Sequence, residues 1–279
     1  MNPLLMAILQ QQVNLALWRN IIGYWKLDDN AASATVLDAS GNGYNGTLCK
    51  ADGSVTNRNT NTASVAAKIN SGFEYRTSGT FDQKVGVRVA DNNVFTFGNG
   101  TIDSPFSIGC WVYLRSWGTA SGTLNLTFLF TKRYATADGS EYNFVIREDT
   151  TGGTYDISFG VFSGKNTTNL LTRRGAITSG FLNAWHYVLA TYDGSGTVTG
   201  IKIYMDGEAL SYTNVTAGTY VAMDNTISDV GIGTFALDAL TNNFAIDGIQ
   251  DEVALWGREL SAADAASLYS YGAGRNFYK

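Results

Sequence analysis

Proline is nearly absent from this chain, with 2 in 279 residues; cysteine is equally rare, and His186 is the single histidine. Two thiols cannot frame a small disulfide-stapled module. One histidine removes every paired-histidine metal site and leaves any Ser-His-Asp arrangement dependent on His186, which reads as a packing or hydrogen-bonding residue of the core. Only 15% of residues are charged, the formal net charge is −5, and Lys and Arg nowhere form a run. That excludes the phosphate-neutralising footprint of a nucleic-acid binder. Long apolar runs are missing too. The first twenty residues, MNPLLMAILQQQVNLALWRN, are split by Gln10, Gln11 and Gln12, lack the basic start of a signal peptide, and are too short to cross a bilayer.

What is present is glycine, 31 residues, and a 44% hydrophobic share rich in Tyr, Phe, Thr, Val and Ile. Clusters of Asn, Asp, Gly and Ser break the apolar stretches at short intervals, which is the pattern of one large all-β domain. KVGVRV alternates at 85, 87 and 89. FSIGCWVYL spans 106–114, with Cys110 on the same face as Phe106, Ile108, Val112 and Leu114, so it reads as a buried free thiol; a Cys49–Cys110 bridge stays open. LNLTFLFTK covers 124–132, and YNFVIRE with YDISFGVF flanks DTTGGT as a hairpin. WHYVLATY, IKIYM with its Asp206–Gly207 turn, DVGIGTF and FAIDGIQDEVALW supply further strands. Only SAADAASLYSYG reads as helix, with Ser261 as N-cap, Asp264 in a capping box and Gly272 as the stop.

Six stretches, in order, resemble the laminin-G-like branch of the concanavalin A-like lectins and glucanases, relatives of the pentraxins: GYWKLDD, LDASGNGYNGTL, FSIGCWVYL, WHYVLATYDG, IKIYMDGEAL and IQDEVALWGRELSAADAASLY. They spread from Gly23 to Tyr269. The resemblance implies a jelly-roll sandwich of two antiparallel sheets with the first and last core strands side by side, over residues 23–279, preceded by an arm at 1–22. It also implies a structural calcium ion between the Gly-rich opening loop and the Asp of the late strand. Asp38, Asn42 and Asn45 offer side-chain oxygens there, Gly41 and Gly43 allow the turn, and Asp251 and Asp28 complete the expected set, in keeping with calcium's need for six to eight oxygens. The other reading of DASGNGYNG is an Asx-rich turn that caps itself.

Catalysis has no visible residues. Relatives that hydrolyse glucans need two carboxylates flanking one bond. No glutamate here begins such a strand, and Asp251 and Glu252, adjacent on a predicted strand, are expected on opposite faces. A binding or structural module remains. Sugar recognition calls for aromatic platforms beside polar groups, and Trp117, Tyr134, Tyr155, Tyr212 and Tyr220 lie in or beside loops. The arm, read as a helix with apolar residues on one face, is expected to dock on a domain or partner. The favoured reading is therefore a non-enzymatic virion surface protein, a capsid decoration or fibre-like component of a phage, whose domain faces outward to surface glycans. A secreted or cell-surface carbohydrate-binding module and a glycan-acting enzyme are the alternatives, and a homo-oligomer is left open.

Overall fold

The computed structural model describes residues 16–50, 57–76, 85–117, 119–121, 123–133, 139–165, 167–235 and 246–270. Its strands form two antiparallel sheets packed face to face. The first runs Glu208–Ala209, Ile201–Met205, Trp185–Tyr192, Phe106–Leu114, Gly248–Trp256, Ser71–Tyr75, Ser64–Ala66, with Ile21–Trp25 as an eighth strand beside Gly248–Trp256. The second runs Tyr212–Ala217, Asn169–Ile177, Thr154–Ser163, Ser140–Asp149, Leu124–Arg133, Val230–Ile232, Val85–Val89, Gly46–Lys50, Thr35–Val36, and Thr119–Ser121 adds a tenth strand against Leu124–Arg133. This is the expected jelly-roll sandwich, first and last core strands adjacent.

Period-two alternation explains how the layers form. On Phe106–Leu114 the even positions 106, 108, 110, 112 and 114 enter the core between the sheets, together with Trp25, Phe130, Tyr142 and Phe159. The odd neighbour Trp111 faces outward, yet it is also buried. Leu17, Tyr24, Tyr187, Leu189, Trp256 and the helix Ala262–Tyr269 form a second apolar cluster over that outer face. The helix opens with the expected capping box, Ser261 and Asp264 each bonding the other's backbone N–H, and closes on Ser270 in the left-handed region; Gly272 lies outside the described residues.

Residues 1–15 of the arm also lie outside them, but the arm's described end is docked on its own domain. Leu17 is fully buried and its carbonyl accepts the indole N–H of Trp256 at 2.8 Å, while Arg258 donates to Ala16 O at 3.0 Å and Arg19 O at 3.1 Å. The first strand starts at Ile21, within the expected arm, because Ile21 pairs with Trp256.

Gly248–Trp256 serves two neighbours in turn. Residues 248–250 pair with 73–75, and 253–256 pair with 21–25. The register slips between Asp251 and Ala254 against Phe106–Leu114, and Glu252 sits at φ 53. This β-bulge breaks simple alternation, so the expected opposition of Asp251 and Glu252 does not follow from strand periodicity. Both carboxyls are buried within it, at 0% and 1% exposure.

The cysteine bridge is not formed: Cys49 and Cys110 are both buried free thiols. They lie in different sheets, Cys49 on Gly46–Lys50 and Cys110 on Phe106–Leu114.

Candidate functional site

Among the described residues, no helix covers the outer face of the ten-stranded sheet as Ala262–Tyr269 covers the other. On the four long strands Leu124–Arg133, Ser140–Asp149, Thr154–Ser163 and Asn169–Ile177, one set of alternating residues enters the core and the other lines a cleft of about 240 Å³. Cross-strand register fixes which side chains meet there. Arg147 lies opposite Asp156, Ser158 opposite Arg174, and Asn143 and Thr172 flank Gly160 from either side. Gly160 is required by proximity: a Cβ would stand 2.6 Å from Thr172 Oγ1 and 3.1 Å from Asn143 Oδ1. Its absence sinks the floor between two polar side chains. Leu124, Leu126, Val145 and Phe162 give the walls apolar surface.

Three guanidiniums, Arg133, Arg147 and Arg174, line the cleft, and no carboxylate does among the described lining residues. Arg133 stands over the rings of Phe162 and Phe235, 5.4 and 5.0 Å from their centroids, a cation–π arrangement. Burial pushes its pKa down to about 10. Arg174 is also lowered, first by burial and then by the positive charge of Arg147. Asp156, just beyond the lining, is raised by burial, against the pull of Arg147 and Arg174; its Oδ1 lies 3.8 Å from Arg147. Arg133 Nε, Arg174 Nε and Asp156 Oδ1 are buried without a hydrogen-bond partner among the described residues. Buried polar atoms left unpaired each cost about 1–3 kcal/mol, so the wall stores unmet donors and an unmet acceptor.

The expected calcium set divides in two. Around the opening loop, Asp38 Oδ1 accepts the backbone N–H of Tyr24 and Ser40 at 3.0 and 2.9 Å, and Oδ2 accepts Ser40 Oγ–H and the N–H of Tyr44 at 2.8 and 2.9 Å. Asn45 Oδ1 accepts the N–H of Asp38 and Asn42 Nδ2 donates to the carbonyls of Ile21 and Ile22. A carboxylate offers about four lone-pair positions, and donors occupy all four of Asp38. The loop's geometry fits a self-capped turn, not a cage. Asp28 and Asp251 meet elsewhere, at the 67–71 turn: Ser71 N–H donates to Asp28 Oδ1 at 3.0 Å and Ile69 N–H to Asp251 Oδ2 at 2.7 Å. Asp251 Oδ1 is buried without a hydrogen bond, and its pKa is pushed up to about 8 by burial, with the charge of Asp28 adding to the rise. No group of three or more His, Cys, Asp or Glu able to hold a metal ion occurs among the described residues.

Of the described aromatic candidates, only Trp117 and Tyr155 meet. Trp117 is 8% exposed and stacks on Tyr155 with centroids 4.5 Å apart. Tyr212 bonds the N–H and carbonyl of Ile203 beneath the guanidinium of Arg173. Tyr220 donates to Asp103 Oδ2 at 2.6 Å. Large rings near strand ends are worth more packed than wet. Tyr134 lies outside the described residues. His186 bonds Asp206 through Nδ1 at 2.7 Å and stacks on Phe181 at 4.3 Å, as a packing residue does. Arg133, Arg147 and Arg174 lie on strands, away from the loop aromatics that sugar recognition suggests, and the outward alternation of Asn143, Val145 and Arg147 within YNFVIRE is the sequence signal for this face.

A laminin G family model, described as the concanavalin A-like lectin/glucanases superfamily, matches residues 82–266. The chain belongs to that superfamily. No curated protein sequence matches this concanavalin A-like chain significantly. Among solved structures, the binding domain of botulinum neurotoxin serotype C1 is similar, with TM-score 0.57 at 16% identity, over 91% of this chain and 52% of that one. A botulinum neurotoxin type C structure, whose passage into cells is described as dependent on interaction with two ganglioside molecules, has TM-score 0.57 at 15% identity, over 91% and 52%. The binding domain of botulinum neurotoxin DC in complex with SialylT has TM-score 0.56 at 16% identity, again over 91% and 52%. The chain thus spans about half the length of these neighbours, and the likeness is one of fold.

Proposed function

We propose that this concanavalin A-like chain is a non-catalytic glycan-binding module, with the outer cleft of the ten-stranded sheet as its sugar site. The observation that carries the reading is the coexistence in one recess of arginine, Asn143, Ser158 and Thr172 side chains with an apolar wall. Sugars present hydroxyls and apolar C–H faces together, and a concave site with a few placed polar groups is what holds them. The ganglioside interaction named for one structural neighbour and the SialylT complex of another support it. Glycoside hydrolysis needs a pair of carboxyl groups about the scissile bond, and a lining of arginines, Asn143, Ser158 and Thr172 supplies none. A glycan array probed with the full chain tests this: binding to a defined set of sugars, lost in Thr172→Trp, which fills the floor, is expected. A blank array overturns it.

A second reading concerns where the module works, and the docked end of the arm favours it. Residues 16–19 lie on the outer face of the eight-stranded sheet, opposite the cleft. A chain anchored through residues 1–22 to a virion or other assembly, as a phage decoration or fibre-like protein, would present its cleft outward. Deleting residues 1–15 should abolish incorporation into particles and leave glycan binding intact; unchanged incorporation sinks the display reading. Calcium, if bound, is proposed at Asp28 and Asp251, where it would tie the first and last core strands to the 67–71 turn.

A further inference from the structure

We infer that the cleft selects an acidic oligosaccharide, held through a sugar carboxylate by Arg133 and Arg174. The inference rests on the glycan-binding reading and names the ligand class of the same site. The chain as a whole is acidic, with a net charge of −5, so cationic crowding in one recess is a local feature against the average. The lining holds three guanidiniums and no acid among its described residues. The charged groups that face them from neighbouring positions are Asp156, beside Arg147 and Arg174, and the exposed Asp149 at the hairpin end. These two balance Arg147 and Arg174 in number, and among the described residues they leave Arg133, which stands over aromatic rings, without a carboxylate partner.

Arginine is the side chain suited to such a task, because its planar fork meets a carboxylate through parallel N–H bonds and remains charged when partly dehydrated. Arg133 and Arg174 both line the cleft, and Asn143, Ser158 and Thr172 beside them suit sugar hydroxyls. A neutral glycan could satisfy the hydroxyl contact alone. An acidic one supplies both the negative charge and the hydroxyls. The apolar wall beside Phe162 and Val145 then takes the ring's C–H face.

The test titrates the full chain with a matched pair, an oligosaccharide ending in a carboxylated sugar and the same oligosaccharide with that carboxylate reduced to the alcohol. A charge-assisted contact predicts that the acidic member binds roughly tenfold to a hundredfold more tightly, with the advantage shrinking as salt rises. Arg133→Gln and Arg174→Gln should each remove most of that advantage while binding of the reduced sugar persists. Arg174→Lys, which keeps the charge, should retain part of it, and Arg76→Gln, an exposed arginine remote from the cleft, all of it. Thermal melts show that each variant folds. Equal affinity for the two sugars overturns the acidic inference and leaves the glycan-binding reading standing; no binding of either sugar, with a blank array, overturns both. An acidic preference unchanged in both glutamine variants removes it from this cleft.

Discussion

Trp256 and Leu17 are joined by an indole N–H to carbonyl bond of 2.8 Å across 239 residues of sequence, in a fully buried setting. Residue 17 is thereby fixed to the last core strand, on the outer face that the helix Ala262–Tyr269 also covers. Trp256→Phe keeps an aromatic ring but leaves the Leu17 carbonyl unpaired and a gap beside it. The expected loss is about 1–3 kcal/mol, read as a lower urea midpoint with an unchanged slope.

Asp38 is the hub of the opening loop, accepting four hydrogen bonds from Tyr24, Ser40 and Tyr44. Asp38→Ala strands those donors at once, and a loss of about 2–4 kcal/mol is expected. Because donors fill the carboxylate, the loss should be the same in calcium and in chelator. A calcium-dependent loss would return the loop to the role of a cage. Asp251→Asn makes the complementary case: any rise in melting temperature on adding calcium should vanish in that variant and persist in Asp38→Ala.

Burial raises the folded-state pKa of Asp251 from 3.8 to about 8 and that of Glu252 from 4.5 to about 8. Between those limits the native state holds protons that the unfolded chain has released, so stability must fall as pH rises. The contribution is fully present below about pH 4, declines across the window, and is gone above about pH 8. Chemical denaturation at pH 5 and pH 8 should show the metal-free protein weaker at the higher value. Asp251→Asn and Glu252→Gln should each flatten the slope; a slope unchanged in the double variant would show that other groups set it.

Both thiols are inaccessible, and burial pushes Cys110 up to about 12. Neither thiolate nor access is available at neutral pH, so an aromatic disulfide reagent should label neither Cys49 nor Cys110 in the native protein and both after unfolding. Reducing agent should leave the melting temperature unchanged, since no bridge links the two sheets. Native labelling faster than global unfolding would mean that one sheet edge opens on its own.

The strands most readable in the sequence were those whose two faces differ. Phe106–Leu114 and Trp185–Tyr192 were delimited to the residue, because alternation and flanking turns agreed. Asn169–Ile177, which carries Thr172 and Arg174, was not singled out: two arginines interrupt NLLTRRGAI, and one of them faces a recess. The bulge at Asp251 and Glu252 was equally hidden, because nothing in IQDEVALW marks a left-handed glutamate. Asp38, Asn42, Asn45, Asp28 and Asp251 are expected around a calcium ion, and in the structure their partners are mainly backbone N–H and carbonyl groups, most of them many residues away. A loop rich in Asp and Asn announces that it will be satisfied, and it does not announce by what. The cleft depends on register across four strands, an arrangement that no local stretch encodes.

The strand Gly248–Trp256 gives one length of chain to two successive neighbours, 71–75 and 21–25. In mechanical terms, tension applied through residue 16 enters beside the middle of a sheet instead of at a free edge. From the buried Leu17 it passes into the packed interior that separates this sheet from the cleft. A particle holding the module by that end would hold a stiff spacer, and a ligand tugging at the far face would be resisted by the whole sandwich.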